Sequence, residues 1–133
     1  MQREHEEAMR ADFDTAERIN AGAFQDFRAG QCTHAEFQQR IEAYAAIGDR
    51  WVEGPYREHW VYLRDACTNW YLHPQEMQRK LADIEAGHEP AHDGFSDVQQ
   101  RSIIQAREIE QRRHTERDHI QQQQQHRRIG RSR

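Results

Sequence analysis

Lysine is almost missing from this chain: Lys80 stands alone against 18 arginines. Lysine would serve equally well on a solvated helix, so the bias points to codon usage in a GC-rich bacterial genome or one of its mobile elements. Valine is scarce too, at Val52, Val61 and Val98, and no stretch alternates β-branched with polar residues, which argues against a sheet protein. Three prolines and seven glycines in 133 residues leave long stretches that nothing interrupts. No apolar run approaches the ~20 residues that a membrane-spanning helix needs. The first residues, Met1-Gln2-Arg3-Glu4, are charged where a secretory leader would be apolar. The two cysteines, Cys32 and Cys67, have no metal-site spacing and fit a reducing compartment, so the expected location is the cytoplasm, with no membrane partner. Serine occurs at Ser96, Ser102 and Ser132, and no Ser/His/Asp arrangement can be inferred.

What remains is polar and helix-forming. Mean hydropathy is −1.22 and 35% of residues are hydrophobic, so the chain folds only if its apolar residues gather on helix faces. They do so by spacing. Met9, Phe13, Ala16, Ile19, Ala23, Phe24 and Phe27 step by three or four, predicting a helix from about Glu4 to Ala29 that Gly30 ends. Thr33 and Glu36 form a capping box, so a second helix starts at His34 and carries Phe37, Ile41, Tyr44 and Ala45 toward Gly48, or alternatively Gly54. Helix, glycine, cap and helix in succession predict a helical hairpin. Its G-x-x-T-x-x-E-F pattern, Gly30, Thr33, Glu36 and Phe37, resembles the short helical hairpins of the SHOCT type. That resemblance covers residues 30–37 and implies the hairpin, with no function attached.

A third helix follows Gly54-Pro55, with Pro55 at its first position. Tyr56, Trp60, Leu63, Cys67 and Trp70 make an apolar seam along it, broadened by Tyr71. Six of the twelve aromatic residues lie between Trp51 and Tyr71, which makes this helix the expected centre of the core. A fourth helix restarts at Pro74, carries Met77, Leu81 and Ile84, and closes at Gly87. Residues 87–95 read as the main loop. Ser96 and Gln99 form a second capping box, starting a fifth helix at Asp97 with a short stripe of Val98, Ile103, Ala106 and Ile109. Beyond Ile109 apolar residues are rare, and fraying or disorder is expected from about Gln122. The predicted fold is all-α: a bundle of four short helices over residues 1–94, then a long, polar, projecting helix with a basic tail over residues 95–133.

Candidate chemistry is sparse. His88-Glu89-Pro90-Ala91-His92 matches H-E-x-x-H, whose zinc chemistry needs both histidines on one continuous helical turn. Pro90, with Gly87 and Gly94 on either side, breaks that turn, and Glu108 or Glu110 as third ligand has nothing to distinguish it. The segment reads as a solvated loop, with no metal site. Cys67 lies on the apolar seam and reads as a small buried hydrophobe. No catalytic residue and no cofactor is expected.

Charge is divided. Residues 1–109 hold 12 basic and 20 acidic side chains, or −8, and residues 110–133 hold 7 and 3, or +4. Such asymmetry marks an interaction tail. The expected function is therefore a non-enzymatic protein–protein interaction module, a small accessory, regulatory or virion protein of a phage or plasmid. It would act on another protein or a copy of itself through Val98, Ile103, Ala106 and Ile109, with Trp51 and Tyr62 as further contacts off the seam. The alternative is a nucleic-acid-associated regulator, binding phosphates through Arg112, Arg113, Arg117, Arg127, Arg128 and Arg131.

Overall fold

A computed structural model describes residues 2–87 and 97–131; side chains at 120, 123, 124 and 126–131 are not described. Five helices follow in order: α1 Arg3–Arg28, α2 His34–Val52, α3 Arg57–Leu72, α4 Pro74–Glu85 and α5 Asp97–Arg131. No strand occurs among the described residues.

Local chemistry sets most of the boundaries. Gly30 and Gly87 adopt φ of 70° and 80°, left-handed values that cost glycine nothing, and each follows the end of a helix. The Thr33 hydroxyl accepts from the Glu36 backbone N–H at 3.1 Å, while the Glu36 carboxylate accepts from the Thr33 N–H at 3.1 Å. This reciprocal pair starts α2 and folds it back on α1. Pro74 opens α4, where its missing N–H has no helical acceptor to lose. Of the two ends open to helix α2, the later one holds: it passes through Gly48, which faces the Trp60 ring with its nearest atoms 3.7 Å from where a Cβ would be, and ends at Val52, just before Gly54. One expected boundary moves. Helix α3 begins at Arg57 rather than Pro55, with Tyr56 at its cap.

The core joins four helices. Met9, Phe13 and Ala16 from α1 meet Trp60, Leu63, Ala66, Cys67 and Trp70 from α3, Met77 and Leu81 from α4, and Ile103, Ala106 and Ile109 from α5. Helix α2 has no buried residue of its own and lays Tyr44, Ile47, Trp51 and Val52 against this cluster. Phe13 meets the Trp60 ring edge-on at 4.9 Å, and Trp51 stacks parallel on Trp60 at 6.2 Å. The Trp70 indole N–H, taken out of water, donates to the Ile103 carbonyl at 3.0 Å. Helix α5 therefore begins as a core element, packed closely on α3.

The helical backbone continues to Arg131, past Gln122, where composition predicts fraying. Neither glycine nor proline occurs from Asp97 to Ile129, so nothing in the sequence breaks it.

Candidate functional site

Where α5 faces α1, the contact is polar. Glu6 is buried and accepts from Arg10 Nε at 2.8 Å and from Arg101 Nε and Nη2 at 2.6 Å each. The Arg101 hydrogen bonds, followed by those of Arg10, outweigh burial and hold the Glu6 carboxyl at about 2, well below its ordinary 4.5. Arg10 spends its remaining donors on the Val98 carbonyl, Ser102 and Gln105. Further along, Asp14 accepts from Arg18 and Arg112, and these bonds keep its carboxyl low although burial pushes it up. Arg113 reaches the buried Glu17. The numbers rise together on both helices, so α1 and α5 run parallel. Between them lies an open groove of about 490 Å³, lined by Arg10, Arg18, Arg101 and Arg112 beside Asp14. Its cations already have carboxylates, so as a ligand site it has little left to offer.

The other side of α5 differs. There Trp70, Tyr71, Pro74 and Gln78 face Arg107, Glu110 and Arg117 across a groove of about 730 Å³. Tyr71 is 61% exposed and the adjacent Leu72 57%, the two most exposed large apolar side chains among the described residues. The Arg117 guanidinium lies over the Tyr71 ring at 5.4 Å and donates to Glu110 Oε1 at 2.8 Å. Arg113 leans on the other Glu110 oxygen at 3.7 Å. Arg107 Nε and Glu110 Oε2, three residues apart on α5, are both shut off from solvent without a hydrogen bond among the described residues. Arg101, Arg112, Arg113 and Arg117 each hold a carboxylate.

Against this geometry the residues singled out from sequence divide. Ile103, Ala106 and Ile109 lie inside the chain's own core, Ile103 at 1% exposure, so they are not a stripe waiting for a partner. The stripe faces α3, whose tryptophans cover it. Val98 is half-buried, its carbonyl taken by Arg10. Trp51 is half-buried, stacked on Trp60, with its N–H on Asp12 at 2.8 Å. Tyr62 packs against the core, and burial raises its hydroxyl pKa. Arg112, Arg113 and Arg117 are held by Asp14, Glu17 and Glu110 of the same chain. The side chains of Arg127, Arg128 and Arg131 lie outside those described, as do the H-E-x-x-H segment and Ser96. Tyr71 does not broaden the buried seam; it ends α3 facing outward. Sequence reasoning passed over Arg107, Glu6 and Leu72. The i, i+3 and i+4 apolar pattern of α3 could have shown that Leu72 lies off its seam.

No family model matches this sequence, and no curated protein or solved structure resembles it closely enough to count as a match. Among the described residues no three histidine, cysteine or acidic side chains gather as metal ligands, and no helix is long and apolar enough to cross a membrane.

Proposed function

We propose that this chain is a non-enzymatic protein–protein interaction module that works through the distal part of α5. The observation that carries the reading is the disproportion of that helix: 35 residues, against 26, 19, 16 and 12 in the others. Glu116 and Arg117 already lie across from Phe24 and Arg28 in the last turn of α1. The stretch after His119 therefore has no α1 left beside it, and at 1.5 Å per residue it extends for about 18 Å. A polar helix that outruns its own core gains nothing from the fold and is available to another chain, whether a foreign protein or a second copy. A small accessory, regulatory or virion protein of a mobile element would suit such a module.

Phosphate binding by the tail is the poorer fit. Three of its seven arginines are held by carboxylates of the same chain, and stripping Arg112 and Arg113 away would break the α1–α5 seam.

Light scattering and urea unfolding of the full chain and of a chain ended after Asp118 test the proposal. Both should unfold at the same midpoint, since no core residue is lost, and only the full chain should gain mass with concentration or with a bound partner. A midpoint lowered by the truncation would make the distal helix part of the fold and refute the reading.

A further inference from the structure

Helices α1, α3, α4 and α5 supply every member of the buried core, and α2 supplies none, although it is 19 residues long. What holds α2 down is half-buried at best. Phe37 rests on Phe24 and Phe27, which are themselves exposed. The Arg40–Asp26 pair lies partly in water, where screening leaves such a pair little worth. Tyr44, Ile47 and Val52 pack against the core from its edge. Trp51 adds its stack on Trp60 and its hydrogen bond to Asp12. What α2 covers is the Trp60 ring, with Gly48 and Trp51 against it and Phe13 on its edge.

We propose that α2 is a strap: it opens as one unit while the other four helices stay folded, and so uncovers the Trp60 ring and the apolar face around it. Segments with few buried apolar contacts are the ones that open below the global transition. Both neighbours stay docked, α1 through Met9, Phe13 and Ala16 and α3 through Leu63, Cys67 and Trp70, so the open strap remains tethered at each end. Off the bundle it melts, because a helix of this size owes most of its stability to packing. The device gives the bundle an apolar surface that is hidden in the closed form and shown in a minor one, with the core intact in both. It holds whatever the distal part of α5 binds.

Native-state hydrogen exchange of the full chain, read by NMR at urea concentrations below the unfolding midpoint, tests this. The backbone amides of α2 should exchange together, about a hundredfold faster than those of α3, and with a smaller urea dependence because less surface is exposed. The Trp51 indole N–H, bonded to Asp12, should exchange with α2, and the Trp70 indole N–H, bonded to Ile103, with α3. Two variants separate the strap from simple instability. Ile109→Val alters a core that the open form keeps, so it should speed α3 about fivefold and leave α2 unchanged. Trp51→Phe removes contacts that the open and the unfolded forms both lack, so it should speed α2 and α3 by one factor, about tenfold. Protection and urea dependence in α2 equal to those of α3 overturn the proposal. So does equal acceleration of both helices in Ile109→Val, or α2 exchange untouched by Trp51→Phe. Amides of α2 that open one by one, each with its own urea dependence, overturn it too, since that is a frayed helix and no strap.

Discussion

Replacing Glu6 by glutamine is the most informative single change to the fold. Its carboxylate accepts three hydrogen bonds from two arginines on different helices and lies almost wholly out of water. Held at about 2 instead of 4.5, it stabilises the folded state by about 3 kcal/mol at neutral pH, at about 1.4 kcal/mol per pH unit. Half of the Arg101 side chain is in water, which screens part of this, so the expected loss in Glu6→Gln is about 2 kcal/mol. The sign follows from the direction of the displacement. A carboxyl with a lowered folded-state pKa contributes fully above its unfolded value near 4.5, and the contribution disappears as pH falls toward 2. Urea unfolding followed by tryptophan fluorescence should therefore place the variant about 2 kcal/mol below the parent at pH 7. The gap should narrow steadily below pH 4.5 and nearly close by pH 2. An equally stable variant at pH 7, or a gap that does not depend on pH, refutes the claim that Glu6 clamps α5 to α1 through its charge.

Two further outcomes follow from burial. Ile103→Ala should cost roughly 3 kcal/mol in the same assay, the usual cost of a cavity at a filled core position, whereas removing a mere partner-binding residue would leave stability unchanged. Burial pushes the Cys67 thiol up to about 12 while Cys32 is only half-buried; a thiol reagent at pH 8 should titrate one fast equivalent in the native chain and a second after denaturation.

Much of the fold was legible because its signals are local. The Thr33–Glu36 box, Gly30, Pro74 and Gly87 each act within one helical turn, and all four lie where the sequence puts them. The α3 seam was legible because Trp60, Leu63, Cys67 and Trp70 share one face whatever covers them. The destination of the α5 stripe was not legible. Val98, Ile103, Ala106 and Ile109 say that one face is apolar, but not whether α3 or another chain lies against it. Arginine was harder still. Arg107, Arg101 and Arg112 look alike in sequence, and only the tertiary arrangement shows that two of them meet Glu6 and Asp14 while the third meets no acid. Tyr71 follows Trp70 in the aromatic run, but one residue on it points about 100° round the helix, off the Trp60–Leu63–Cys67–Trp70 face and away from the core.

The Arg10–Glu6–Arg101 clamp has a consequence for how the protein is made. Its bonds to α5 join residues 88 to 95 positions apart in the chain, and the Asp14–Arg112 pair spans 98. The α1–α2 hairpin is complete once about fifty residues have left the ribosome, but Glu6 and Glu17 must wait for Arg101 and Arg113, and α3 for its covering helix, until α5 emerges. Contacts this far apart in sequence must bear their loop-closure entropy before they form, so they close after the local hairpin. A nascent chain stalled before α5 would thus present an unfinished apolar face, and that interval is when this protein would most need protection from its neighbours.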